Sequence, residues 1–316
     1  MPVDTDIQQF LNHYQQQNHP SYASLSPTGL RKWFNQHFAS KARPTPIAVD
    51  KVIEQELTGP DNNSLRCRIY YPTGTGPFAV LMYFHGGGFV IRDDMDLYDQ
   101  TCRMMCHHAN CAVISVDFRL APEHPFPAAP EDCYAATCWV TEQAHALNID
   151  PNRLGVWGES CGGNLATVVA MMARDRNGPK LACQIIITAM LNDDFTKDSY
   201  RENGNGEYLL TQTTMNWFWQ HYLASANNAA HPYCMPCKAT NLSQLPPALV
   251  VTVEYDPLRD EGADYAKKLS DANVATTYHC YPGLIHGFFD LYARSDAANT
   301  ACQQIIHMSQ SLLNQL

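Results

Sequence analysis

The chain has 316 residues, 45% of them hydrophobic and 16% charged, which is ample apolar material for one large core and lacks the polar bias of a disordered chain. Its 21 Lys and Arg stand against 31 Asp and Glu, a net charge of −10 spread without long runs. That balance excludes the basic footprint of a nucleic-acid binder or of a protein docking on anionic lipid.

The first seventeen residues are polar with no apolar leader core, and no run of 18 apolar residues occurs anywhere, so a cytoplasmic protein without stable membrane insertion is expected. Residues 1–45 carry two helical patches, 7–17 and 30–42, and are expected to form an N-terminal helical cap segment ahead of a single core over 46–316. Enrichment in β-branched and aromatic residues then marks eight strands, at 47–57, 65–71, 78–84, 112–118, 154–157, 184–188, 248–253 and 275–281. The turn Gly59-Pro60-Asp61-Asn62-Asn63 joins the first two as an antiparallel start. From the third onward most strands are separated by helical stretches. The later ones are continuous apolar runs, which predicts an α/β fold with a mostly parallel sheet covered by helices on both faces.

Polar motifs follow several of these strands. After the third comes His85-Gly86-Gly87-Gly88; three successive glycines exceed what an ordinary turn needs and let backbone N–H groups approach a ligand closely. Cys102, Cys106, His107, His108 and Cys111 have metal-ligand chemistry, but Cys111 opens a strand and so parts from the helix carrying the others. After the fifth strand, Gly158-Glu159-Ser160-Cys161-Gly162 opens straight into a helix over 164–174. A serine between glycines at such a corner is held on a sharp turn, with its hydroxyl pushed out and the following N–H groups beside it.

Residues 192–225 are too long for a simple crossover and are expected to contribute to the cap. Their aromatic group, Trp217-Phe218-Trp219 with Tyr222, reads equally as helix-packing core or as pocket lining. Cys234-Met235-Pro236-Cys237 has the spacing of a redox or zinc half-site but no partner pair, and the twelve cysteines are read as reduced, mostly buried thiols. The seventh strand leads to Asp256, where Pro257 stops it, and the eighth to His286 on a loop loosened by Pro282-Gly283 and Gly287.

Strand ends on one edge of an open α/β sheet line its ligand crevice, so the glycine run, Ser160, Asp256 and His286 are expected to meet there. The chain order Ser, Asp, His suits a serine nucleophile, a histidine base and an acid that fixes the base's tautomer. Among 13 histidines, His286 is preferred by position. Asp260 and Glu261 rival Asp256 but fall a turn into the next helix, where capping or salt bridging is expected. The N–H groups of Gly86, Gly87 and Cys161 would form an oxyanion hole, the donors that attack on a carbonyl demands.

Two longer stretches, Asp117-Phe118-Arg119-Leu120-Ala121-Pro122-Glu123-His124-Pro125-Phe126-Pro127-Ala128 and Glu254-Tyr255-Asp256-Pro257-Leu258-Arg259-Asp260-Glu261-Gly262, are far more specific than G-x-S-x-G. With His286-Gly287-Phe288 and the two glycine motifs, they resemble the hormone-sensitive-lipase-like family of α/β hydrolases, the bacterial carboxylesterases that carry H-G-G-G, over roughly residues 45–316. That resemblance implies an eight-stranded α/β-hydrolase sheet under a helical cap built partly from N-terminal helices. It also implies hydrolysis of short- to medium-chain acyl esters of small molecules through an acyl-enzyme, without metal or organic cofactor. It assigns Ser160 as nucleophile, His286 as base, Asp256 as its orienter, and Gly86, Gly87 and Cys161 as oxyanion donors. The family commonly has Asp and Ala where this chain has Glu159 and Cys161; the expected consequences are an altered acyl pocket and a thiol whose alkylation blocks the site. The same residues would serve an amide or a long-chain lipid ester, and the same scaffold can be a small-molecule binding protein. The motifs do not encode assembly, for which a homodimer is the commonest arrangement.

Overall fold

The computed structural model describes residues 1–17, 19–39 and 45–314. β1 (Lys51–Thr58) and β2 (Ser64–Tyr71) form the expected antiparallel pair, in register from Lys51↔Tyr71 to Thr58↔Ser64. With β3 (Phe78–Phe84), β4 (Ala112–Asp117), β5 (Ile149–Glu159), β6 (Cys183–Ile187), β7 (Ala248–Tyr255) and β8 (Thr276–Ile285), they make one eight-stranded sheet in the order β1-β2-β4-β3-β5-β6-β7-β8. Only β2 runs antiparallel to its neighbours; every other pairing is parallel.

The helices of the described residues are α1 (Thr5–Gln15), α2 (Pro27–Phe34), α3 (Asp99–Ala109), α4 (Ala128–Glu142), α5 (Cys161–Asp175), α6 (Asp198–Asn203), α7 (Gln212–Leu223), α8 (Arg259–Asp271) and α9 (Asp296–Leu313). They sort onto the two faces by the two-residue alternation of a strand. Along β3, Val80, Met82 and Phe84 pack into the cluster of α2, α4, α5, α7 and α8, while Ala79, Leu81 and Tyr83 pack into that of α1, α3 and α9. Burial on both faces is why the later strands read as unbroken apolar runs. No described helix is long and apolar enough to cross a membrane.

Several boundaries differ from the sequence expectation. β1 starts at Lys51 rather than 47, because its partner ends at Tyr71 and leaves no ladder to extend. β5 begins five residues early, at Ile149, which pairs with Phe78 across an irregular stretch containing Pro151. β8 continues through Pro282-Gly283 to Ile285, so the loosened loop expected before His286 is strand instead. Only an edge strand with a bulge tolerates that proline; β8 is the sheet edge, and its register shifts where Val253↔Tyr281 gives way to Tyr255↔Ile285. Helices α1 and α2 start earlier than 7 and 30, because the Asp4 carboxylate and the Ser26 hydroxyl cap them and Pro27 takes the first helical position of α2. A π-helical turn, Asn35–Ala39, follows α2, and the remainder of the expected 30–42 helix lies outside the described residues.

The N-terminal segment is tied to the core at several points. The Asp4 N–H donates to the Gly283 carbonyl at 2.9 Å, and Ser295 donates its hydroxyl to Asp4 at 2.9 Å. On α2, the Arg31 guanidinium donates to the Val90 and Ala121 carbonyls, each at 2.7 Å, and pairs with Glu123. Helix α7 lies against the 22–24 turn, with Tyr22 and Phe218 ring centres 6.5 Å apart. Trp217, Phe218, Trp219 and Tyr222 are all buried, and Tyr222 stacks on Phe89 at 3.6 Å. All four rings pack inward, Phe218 over Gly88 of the glycine run.

Candidate active site

Strands β3, β5, β7 and β8 end at Phe84, Glu159, Tyr255 and Ile285, so His85, Ser160, Asp256 and His286 each follow directly on a strand end at the same edge of the sheet. Ser160 has φ 55° and ψ −122°, a left-handed conformation that L residues adopt only under constraint. The constraint is visible in its backbone bonds. Its N–H donates to the Ile187 carbonyl at 2.9 Å, and its carbonyl accepts from Gly163, Asn164 and Met190 at 3.1–3.2 Å. The flanking glycines are steric requirements: a Cβ on Gly158 would sit 2.1 Å from the Gly162 oxygen, and one on Gly162 would sit 1.9 Å from the Phe84 oxygen.

The glycine run is a tight, built turn rather than a flexible one. Gly87 and Gly88 have φ 122° and 60°, and the Gly87 carbonyl accepts from Val90 and Ile91 at 3.1 and 2.9 Å. The run lies directly against the serine, for a Cβ on Gly86 would be 3.4 Å from Ser160 Cβ. Gly88 is roofed by α7, where a Cβ would enter the Phe218 ring. His85 anchors the run from below, stacked between Tyr98 and Phe118 at 4.7 and 4.3 Å with its Nδ1 2.7 Å from the Gly86 carbonyl. Burial pushes its pKa down to about 3, so it is neutral and donates that proton to Gly86. Among the described residues, the N–H groups of Gly86, Gly87 and Cys161 donate to no protein acceptor.

Asp256 is fully buried, and both of its carboxylate oxygens are engaged. Oδ2 accepts from His286 Nδ1 at 2.8 Å, and Oδ1 accepts from the Leu258 N–H at 2.9 Å. His286 is mostly covered, its side chain 15% exposed, and Gly287 at φ 77° turns the chain after it into a short 3₁₀ segment, Phe288–Leu291. The imidazole lies within electrostatic reach of Glu159, the neighbour of Ser160. The rival carboxylates, in the first turn of α8, are employed elsewhere, Asp260 as expected and Glu261 as a buried acceptor rather than a cap or salt bridge. Asp260 caps α6 through the Ser199 N–H and pairs with Arg259, while Glu261 holds the Leu191 N–H at 2.6 Å.

The expectation for the Cys161 side chain is overturned. Its sulfur is buried beneath the glycine run, 3.5 Å from the His85 carbonyl and facing the N–H groups of Gly88 and Phe89. Burial raises the thiol to about 12, so it is neutral and shielded, and alkylating it is no route to a blocked site. The twelve cysteines are all unpaired, and no three His, Cys, Asp or Glu side chains of the described residues are grouped to hold a metal. Cys102 and Cys106 lie on the buried face of α3, and Cys234 is buried beside α5, its carbonyl accepting from Asn164.

Sequence reasoning missed a charged cluster directly behind the serine. Glu159 accepts a hydrogen bond from the Tyr83 hydroxyl at 3.2 Å and faces Arg92, which forms an ion pair with Asp290. Burial first, then the Asp290 charge, pushes Glu159 up to about 7, against the opposing effects of Arg92, Tyr83 and His286. No spacing rule signals a pair 198 residues apart.

Residues 81–290 match the sequence profile of a family described as having the alpha/beta hydrolase fold. The chain is 37% identical over 284 residues to a carboxylic ester hydrolase, LipN, of Mycobacterium tuberculosis, covering 87% of this chain and 74% of that one. It is 32% identical over 288 residues to an arylesterase of Saccharolobus solfataricus, covering 91% and 92%. A solved hyperthermophilic esterase from the archaeon Pyrobaculum calidifontis superposes with a TM-score of 0.91 at 35% identity, over 99% of both chains. With the sheet order, the serine corner and the H-G-G-G turn already described, these likenesses establish that the chain belongs to the hormone-sensitive-lipase-like family of α/β hydrolases.

Proposed function

We propose that the protein hydrolyses short- to medium-chain acyl esters of small molecules through a covalent acyl-enzyme on Ser160. The observation that carries this reading is the 2.8 Å hydrogen bond between His286 Nδ1 and the buried Asp256 carboxylate, on the sheet edge where Ser160 is held in its constrained conformation. With Nδ1–H committed to Asp256, Nε2 carries the free lone pair and can take the Ser160 proton as Oγ attacks the ester carbonyl. The oxygen that becomes negative is received by the N–H groups of Gly86, Gly87 and Cys161; losing one such donor typically costs about 100- to 1000-fold in turnover. His286 then returns the proton to the leaving alcohol, and a water activated the same way releases the acid. Side chains and backbone carry every proton and electron pair in this sequence, so the reaction calls for no metal or organic cofactor.

The relatives support the choice of bond, being named a carboxylic ester hydrolase, an arylesterase and esterases. In this reading α1, α2, α6 and α7 form the cap, and the packing of Phe218 over Gly88 sets the roof of the oxyanion side. The enzyme works in the cytoplasm, a location that suits twelve unpaired cysteines. The test is hydrolysis of a chromogenic acetyl or butyryl ester. Ser160→Ala is expected to lower turnover by at least about 1000-fold with unchanged circular dichroism, and retained turnover would refute the assignment. A series from acetyl to palmitoyl esters should peak at the short end.

A further inference from the structure

Arg92 follows the glycine run and has φ 68°. That left-handed conformation is strained for an L residue, and glycine takes it freely. The contacts of the Arg92 side chain are specific. The guanidinium is largely buried, pairs with Asp290 and lies over the Phe34 ring of α2 at 5.7 Å. Asp290 stands four residues after His286 on the 3₁₀ segment, and Glu159 immediately precedes Ser160. One buried cation therefore faces two carboxylates, each belonging to a different loop of the site, while it belongs to a third.

We propose that Arg92, Asp290 and Glu159 act as a positioning cluster that locks the oxyanion turn, the serine corner and the histidine loop at fixed mutual spacing. The inference rests on the hydrolytic reading above and adds residues that touch neither substrate nor reacting atoms. Its physical basis is the steep distance dependence of the chemistry: a misplacement of about 1 Å can cost on the order of 100-fold. Backbone bonds tie the serine corner to Ile187 and Met190, whereas the Arg92–Asp290 pair joins the oxyanion turn and the histidine loop directly through side chains. Removing its cation leaves the buried Glu159 and the partly exposed Asp290 without the charge that lies between them, which loosens the hold of one loop on the other.

The test compares Arg92→Gly, Arg92→Lys, Asp290→Asn and the double variant Arg92→Gly/Asp290→Asn, with active sites counted by titration with a phosphonate ester. Arg92→Gly relieves the backbone strain, so it remains informative if Asp290→Asn folds poorly. Each single loss is expected to lower kcat per titrated site by about 10- to 100-fold with KM within threefold. The double variant is expected to be no more than about threefold worse than the poorer single, because the two groups act as one unit. Arg92→Lys should recover to within about fivefold of the parent protein, since it keeps the charge and loses only the planar fork. Unchanged kcat per titrated site, with only fewer titratable sites or a lower melting temperature, would overturn the proposal and leave the cluster a stability device. Multiplicative losses in the double variant would overturn it too. If the parent protein hydrolyses its ester and Ser160→Ala does not, such results count against the cluster alone; a parent protein with no hydrolysis removes both readings.

Discussion

Glu159 illustrates how burial beside a like charge changes what a side chain does. A carboxyl in water ionises near pH 4.5, whereas here desolvation and Asp290 hold the proton until about pH 7. The folded protein therefore binds more protons than the unfolded chain between those two values. Stability falls as pH rises through that window, and the cost is complete above it. Replacing Glu159 by Gln removes the cost. Urea unfolding should show the variant gaining on the parent protein between pH 4 and pH 8 by on the order of 3 kcal/mol, and a pH-independent difference would contradict the buried charge. The adjacent Cys161 shows the limit of reading a residue by its neighbour in sequence. Its sulfur lies under the glycine run, so labelling with iodoacetamide under native conditions is expected to leave Cys161 unmodified and esterase activity intact.

At the scale of elements, the serine corner is made by a close approach of β3, β5 and α5. Gly162 lies under the end of β3, with no room for a methyl group between it and the Phe84 carbonyl. Gly162→Ala must displace backbone rather than a flexible side-chain end, so a loss of about 3 kcal/mol or more is expected in urea unfolding, with activity falling further than stability. The eight strands were legible because both faces of the sheet are buried, which writes apolar runs of strand length directly into the chain. Their ends were less legible. Pro282 and Gly283 look like loop residues, and only their place on the edge strand, within its bulge, lets them remain in β8. The early start of β5 likewise depends on Phe78 being available to pair.

For the whole molecule, the N-terminal segment reaches both faces of the sheet. Ile7 and Leu11 of α1 enter the cluster with α9, and Leu30 and Phe34 of α2 enter the opposite one. Burying each such side chain contributes roughly 1.5–3 kcal/mol, and four together rival the total stability of a typical domain, about 5–15 kcal/mol. Deleting residues 1–39 should therefore yield an aggregating or unfolded protein rather than a core with an opened site; a soluble, cooperatively melting deletion would show that the segment is dispensable. What the sequence determined by itself was the fold class, the antiparallel start, and the positions of Ser160, Asp256, His286 and the glycine run at strand ends. These rest on local rules: side-chain periodicity, glycine at constrained corners, and turn chemistry after each strand. Tertiary structure alone decided that the expected pairing of His286 with Asp256 is made through Nδ1, that the Cys161 thiol is hidden, and that Arg92, Glu159 and Asp290 converge. Those outcomes depend on desolvation and on distances between groups far apart in the chain, and neither quantity is carried by residue order.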